Sequence, residues 1–428
     1  MLAPSIGGGL QQTTNYKVVV PFYVYAAISF LVATVLLLCH TDIVELHYFQ
    51  PYTLAITHIM ALGWATMIIL GASHQLLPVL VEGKLDSNLL AYLTFAATAI
   101  GIPFLVIGFY IFHVGWVLQT GAVLINIGVV FYLLNVFESS FKSKQRNVHT
   151  WYILTAALWL FSTTFLGLLL VFNFTHHLLA KDSLAYLSIH AHLGIAGWFL
   201  LLVIGVGSRL IPMFLISKYN NNQLLWWIYG LVNMGLVSFL LFKVLDFPAV
   251  YFYGSIAIAF SGIVLFGIHC IKAYRVRIRK NVDEQMKTSL LSVLQMLLPF
   301  VALIATLLIL PAEKYPRMAL LYGFCIFFGW LTAIILGMTF KTLPFIVWNK
   351  VYHKKAHAGK TPAPKELFSE KIYRAMLHCY LSGFVLFALG IILFNTVVLK
   401  LGAAALVAAA ALYVLNIGKI ILHQPKKL

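Results

Sequence analysis

The chain has 428 residues, 62% of them hydrophobic and only 10% charged, with a mean hydropathy of +0.94. No soluble domain needs so much apolar surface, so this composition excludes a soluble enzyme and points to a polytopic membrane protein whose first partner is membrane lipid. A formal charge of +17 does not argue for nucleic acid, because basic residues gathered in cytoplasmic loops account for it.

Apolar runs long enough to span a bilayer fall at 19–40, 53–80, 89–110, 112–137, 150–173, 186–214, 224–242, 249–272, 289–311, 317–346, 374–395 and 398–420. The expected fold is all-α, with twelve transmembrane helices forming a single integral membrane domain over residues 1–428. Met1 to Tyr16 reads as a short polar tail without a cleavable signal pattern. Cys39, Cys270, Cys325 and Cys379 have no metal or redox spacing and read as small packing residues.

One frame recurs in the second, sixth and tenth segments. Gly63-Trp64, Gly71 and Pro78 match Gly197-Trp198, Gly205 and Pro212, and again Gly329-Trp330, Gly337 and Pro344. Internal spacings are identical, and the copies start 134 and 132 positions apart. Equal units predict three pseudo-symmetric groups of four helices, at about 17–148, 149–280 and 281–428. The glycines suit close approach of helices or of a flat macrocycle. The tryptophans read as core, and the prolines as helix ends or kinks.

Lysine and arginine set the expected orientation. Lys142, Lys144 and Arg146 follow the fourth segment; Lys272, Arg275, Arg277, Arg279, Lys280 and Lys287 follow the eighth. Lys350, Lys354, Lys355, Lys360, Lys365, Lys371 and Arg374 follow the tenth, and Lys426-Lys427 close the chain. Segments after odd-numbered helices are poorer in positive charge. Both termini are therefore expected in the cytoplasm, across a bacterial-type inner membrane. The basic loop at about 348–373 reads as a tether attracted to anionic headgroups.

Histidines carry the chemistry. Buried in a lipid-embedded helix, an imidazole is costly and usually has a partner or a task. It is also a common ligand of haem iron and copper. His190 and His192 stand two residues apart, about 200° round a helix, so they face opposite sides and suit two sites rather than one. His58 occupies the register of His192 in the first copy, whereas Phe324 occupies it in the third. All three histidines fall about one to two turns from the expected outer surface. His113, placed at the start of the fourth segment, is a secondary metal candidate. The vicinal His176-His177 pair reads as a wet loop end. His74 lies 16 residues beyond His58, about 24 Å along a helix, too far to share its site. His74-Gln75, Arg209 and Lys341 form a polar level near the expected inner face, where snorkelling to phosphate is the favoured reading. No acidic residue stands mid-membrane, which argues against a carboxylate proton relay or a sodium site built on carboxylates.

The run His190-x-His192-x-Gly194-x-x-Gly197-Trp198, with Gly205 and Pro212 beyond it, resembles the haem-ligand helix of haem–copper oxidase catalytic subunits, particularly the nitric oxide reductase type. That resemblance implies a twelve-helix, three-fold pseudo-symmetric fold, haem and possibly copper, and redox or oxygen and nitric oxide chemistry. It also implies an electron-donor protein or other respiratory subunits as partners. His58, His190 and His192 would be cofactor ligands, with His58, His192 and His113 the metal candidates. In that family the two-histidine motif lies on the tenth helix; here it lies on the sixth. The family's vicinal copper-binding pair on the seventh helix has no counterpart between Leu224 and Lys243. By helix position, His58 resembles a low-spin haem ligand and His192 a copper ligand. By motif, His190 and His192 resemble ligands of two haems. The NnrS-like proteins, twelve-helix proteins of nitric oxide stress with a shortened ligand set, are a second resemblance.

Overall fold

A computed structural model describes residues 14–143, 147–309, 315–352 and 361–424, with only the backbone given for 307–309 and 315. Lys144, Arg146, Glu313, His353, Lys354, Lys355, His357, Lys360, Lys426 and Lys427 lie outside the described residues, as does most of the N-terminal tail. Among the described residues twelve helices are long and apolar enough to cross a membrane. They are α1 (Tyr16–Cys39), α2 (Pro51–Leu80), α3 (Asn88–Tyr110), α4 (Trp116–Phe141), α5 (Val148–His176) and α6 (Ser183–Leu215). They continue as α7 (Asn222–Val244), α8 (Val250–Arg275), α9 (Glu284–Thr306), α10 (Pro316–Tyr352), α11 (Glu370–Leu393) and α12 (Thr396–Ile421). No strand occurs among the described residues; one isolated bridge pairs Ser217 with Arg277.

Side-chain caps start many of these helices. Asn147, Asn221, Asp283, Ser369 and Asn395 each accept a hydrogen bond from a backbone N–H of the first turn, and Gln50 does so ahead of Pro51. Several helices end in a left-handed residue that is not glycine. Phe112, Ile216 and Phe394 have φ of 52°, 51° and 55°. The next amide then reaches back: His113 to Gly108 O at 2.8 Å, Ser217 to Pro212 O at 2.9 Å and Asn395 to Gly390 O at 3.1 Å. Asn395 thus closes α11 and caps α12 within one residue.

This turn chemistry corrects the placement of His113. The α3 stop at Phe112 puts His113 in the turn before α4, exposed, with its ring 6.2 Å from that of Trp116. The apolar run beginning at 112 had hidden the turn, because Phe112 is a large hydrophobic residue in a glycine-like conformation.

Burial ranks the helices as the recurring frame requires. In their most apolar windows α2, α6 and α10 are 72%, 78% and 72% buried, against 28–50% for the other nine. Trp64, Trp198 and Trp330 are all core residues. The final glycine of each frame lets a neighbouring helix in: a Cβ at Gly71 would strike Phe22 of α1, at Gly205 Tyr152 of α5, and at Gly337 Ser289 of α9.

Two compact units emerge. One contains Ser73–Gly108 and His113–Val282, with the described residues up to Asn15; the other contains Tyr16–Ala72, Phe109–Phe112 and the described residues from Asp283 on. Their limits cut α2 and α3 rather than following the repeat at 148. The chain passes from one to the other at 282, close to the repeat limit at 280.

Candidate functional site

Each buried frame helix departs from α-geometry at one place. A π-helical stretch covers Ile59–Thr66 in α2, Leu193–Leu200 in α6 and Cys325–Leu331 in α10. His58, His192 and Phe324 are the residues immediately before them. The register read from glycine spacing is therefore built into the backbone three times. Such stretches widen a helix and often mark functional sites.

His58 lies in the second unit. Its Nδ1 donates to Leu54 O at 2.7 Å, and its ring stacks on Phe109 at 4.6 Å and 27°. His192, in the first unit, repeats this arrangement. Its Nδ1 donates to Ser188 O at 2.8 Å, and its ring lies 4.6 Å from Phe239 of α7. Both bonds run to the carbonyl four residues back. Protonation at Nδ1 leaves the lone pair on Nε2, the arrangement in which a second hydrogen bond orients a metal-binding imidazole. His378 makes the same bond to Arg374 O at 2.7 Å but is exposed on α11. The bond alone is thus no signature; its recurrence at matched positions on two deeply packed helices is.

His190 points elsewhere, as the 200° rotation requires. Its Nδ1 donates to Thr163 O of α5 at 3.1 Å. Gly167, one turn further along α5, makes room for the ring, because a Cβ there would stand 2.9 Å from His190 Cε1. The His190-x-His192 pair therefore serves two flanks of α6, one toward α5 and one toward α7.

The donor set offers single imidazoles rather than a cluster. From Ser183 to His192, only Ser183 is fully buried, whereas seven of the eight residues Phe199–Leu201 and Ile204–Ser208 around the following turns are mostly closed to solvent. The N-terminal part of α6, which carries both imidazoles, is thus less closely covered than the turns that follow. Among the described residues no group of three or more His, Cys, Asp and Glu side chains converges. His58 belongs to one unit, and His113, His190 and His192 to the other. The residues fit one axial imidazole for a haem at each of His58 and His192, a task that needs no cluster.

The third copy shows the alternative. Phe324 is 6% exposed and stacks on Phe328, Phe384 and Phe387 at 5.0, 5.5 and 4.7 Å. Its π-helical stretch is sealed by protein hydroxyls: Tyr380 donates to Gly329 O at 2.8 Å and Ser292 to Trp330 O at 2.9 Å. Aromatic rings fill the position that an imidazole holds in α2 and α6.

The polar level divides three ways. Lys341 pairs with Asp283, the cap of α9, instead of snorkelling to lipid phosphate. A charge with a carboxylate in reach gains more from the pair than from headgroups that are themselves hydrated. His74 is fully buried with its ring against Tyr132, and Arg209 is exposed. His176 and His177 are exposed at the end of α5. The described Asp and Glu residues all lie in loops or within a turn of a helix end.

No protein-family model matches the chain, and no curated protein matches it.

Proposed function

We propose that the chain is a haem-binding integral membrane protein of the haem–copper oxidase catalytic-subunit type, with an incomplete ligand set and redox or diatomic-gas chemistry. One observation carries this reading. His58 and His192 precede a π-helical stretch at matched positions, present the same tautomer and pack against a phenylalanine of the following helix. Selection for packing alone gives no reason to keep an imidazole twice where Phe324 does the job in the third copy.

In this reading the helix carbonyls of Leu54 and Ser188 fix ring orientation and keep Nε2 as the donor atom. Phe109 and Phe239 keep water off one face of each ring and hold it against rotation. A bound haem supplies an iron that changes oxidation state and takes a small gas as ligand. His190 is an imidazole positioned on the opposite flank of α6, where the motif's resemblance puts the ligand of a second haem. Copper at His58 or His192 is the lesser reading, because no third ligand joins either among the described residues; exposed His113 has no part in it. A complete oxygen or nitric oxide reductase would need further ligands, which α7 lacks. NnrS-like chemistry in nitric oxide stress fits a reduced set better. Both termini in the cytoplasm of a bacterial inner membrane complete the proposal, on the loop charges already given.

The test is a visible spectrum of protein purified from a haem-sufficient host, with haem extracted and counted. A Soret band lost in both His58→Ala and His192→Ala, or halved in each, supports the proposal. Colourless wild-type protein refutes it.

A further inference from the structure

At the end of the first unit remote from His190 and His192, the chain is clamped into a turn that carries cations. α6 stops at Ile216, whose φ of 51° is left-handed. The Ile216 carbonyl accepts from the Ile278 N–H at 3.1 Å, and Ser217 bridges Arg277 in an antiparallel pair. The segment after α8 is thereby tied to the end of α6. Arg277 completes the tie from within. Its guanidinium lies 3.7 Å over the Tyr274 ring and donates to Tyr274 O at 2.7 Å. With 217 opposite 277, Lys218 stands opposite Val276, next to Arg275. Lys272 is within one turn of Arg275 on α8, and the carbonyl of Lys280 accepts from Arg277 at 3.4 Å.

Lys218, Lys272, Arg275 and Lys280 are all exposed, and no ion pair engages them among the described residues. The neighbouring sequence offers no counter-charge. Between Ser183 and Val282 the one acidic residue is Asp246, and it pairs with Lys181 at 3.3 Å. Asp283 and Glu284, which follow, are held by Lys341 and Lys287. Positive charge in a loop is enough to orient a chain in the membrane, but orientation needs no clamp. A tied turn with four unopposed cations is a receptor for negative charge.

The surroundings say which kind. α8 has 26 residues, about 39 Å of helix, against about 30 Å of hydrocarbon. Its end turns, Lys272 and Arg275 among them, therefore reach headgroup depth. α7 runs antiparallel to α8, with Gly235 against Ala259 and Gly262 against Ile228, so its start lies beside that end. Trp226 and Trp227 at the start of α7 are exposed, as are Ile216 and Ile271. Tryptophan at a helix end marks the border between headgroups and hydrocarbon. A soluble acidic partner would meet only the charges; a lipid covers the charges and the apolar side chains together. We propose that this clamp binds one phospholipid of net negative charge, its phosphate on Lys218, Lys272, Arg275 and Lys280 and its acyl chains against the exposed apolar side chains of α7 and α8. A zwitterionic lipid offers a phosphate too, but carries its own cation, which these four side chains repel. The site requires no haem at His58 or His192.

The test measures lipid selectivity of the purified full chain in phosphatidylcholine vesicles, by electron spin resonance of spin-labelled phosphatidylglycerol and, separately, of spin-labelled phosphatidylcholine. Wild-type protein is expected to immobilise phosphatidylglycerol in preference. Lys218→Gln, Arg275→Gln and Lys280→Gln combined should weaken that preference by about fivefold for each charge removed. Lys365→Gln, Lys371→Gln and Arg374→Gln combined remove the same charge elsewhere and should leave the preference in place. All six side chains are exposed, so both variants should fold. Equal immobilisation of the two lipids by the wild type overturns the proposal. An equal loss in both triple variants also overturns it, because the attraction would then be diffuse. Displacement of phosphatidylglycerol by millimolar inorganic phosphate overturns it as well, by making the clamp a site for soluble anions.

Discussion

Gly205→Ala tests how closely the frame helices must approach their neighbours. The added Cβ would overlap Cβ and Cγ of Tyr152, the latter at 2.7 Å. Tyr152 has no slack: it is 1% exposed, its hydroxyl donates to Leu225 O at 2.8 Å, and its ring lies 5.2 Å from Tyr229. Relief must come from moving α5 away from α6, which loosens the contact of His190 with Thr163. Overpacking of this kind costs about 1–3 kcal/mol. Alanine also favours a helix over glycine by about 1 kcal/mol, so the variant needs a reference. Gly267→Ala in α8 supplies it, because a Cβ there meets nothing within 4 Å. Propensity cancels in the difference, leaving the overlap of about 1–3 kcal/mol. Reversible unfolding in mixed micelles, followed by circular dichroism, reads that difference. Equal stability of the two variants would refute the claim that Gly205 is there for close approach.

Phe324→Ala should cost about 3–5 kcal/mol in the same assay and leave the Soret band unchanged; a lost band would mean that the third copy supports cofactor after all. The Lys341–Asp283 pair, 12% and 28% exposed, should give a coupling of about 1 kcal/mol or more in a double-mutant cycle, with little salt dependence. Zero coupling would return Lys341 to lipid phosphate. Lys142 contrasts with it: hydrogen bonding to Asp86 raises the lysine pKa above its usual 10.5. Its contribution is therefore present at neutral pH and is lost as pH climbs past that value; unchanged unfolding between neutral and strongly alkaline pH in wild type and Lys142→Met alike would refute the pairing. His190→Ala should spare cofactor held by His192, since the two rings leave α6 on different flanks; parallel loss in both single variants would place them in one site.

Much of this architecture could be read from residues in order. Twelve hydrophobic runs correspond to twelve helices, because a segment crossing lipid must satisfy its own backbone and has only the helix with which to do so. The glycine-tryptophan-proline frame located the three most buried helices, since close packing needs small residues at fixed intervals. It also placed His58, His192 and Phe324 in one register, and the two-residue step put His190 and His192 on opposite flanks. The α3–α4 turn was hidden, because Phe112 adopts a conformation that hydropathy does not report.

Sequence by itself determined the solvent, the helix count, the repeat and the register of the imidazoles, all of which follow from local composition and spacing. Only the tertiary structure decided what those imidazoles touch. The carbonyls of Leu54 and Ser188 set the tautomers, Thr163 and Gly167 receive His190, and Phe109 and Phe239 cover the rings. It alone paired Lys341 with Asp283 and buried the His269 ring against Tyr219. Apart from the two bonds to the carbonyl four residues back, such facts depend on contacts between separate segments of the chain, and no local pattern encodes the rotation of one helix against another.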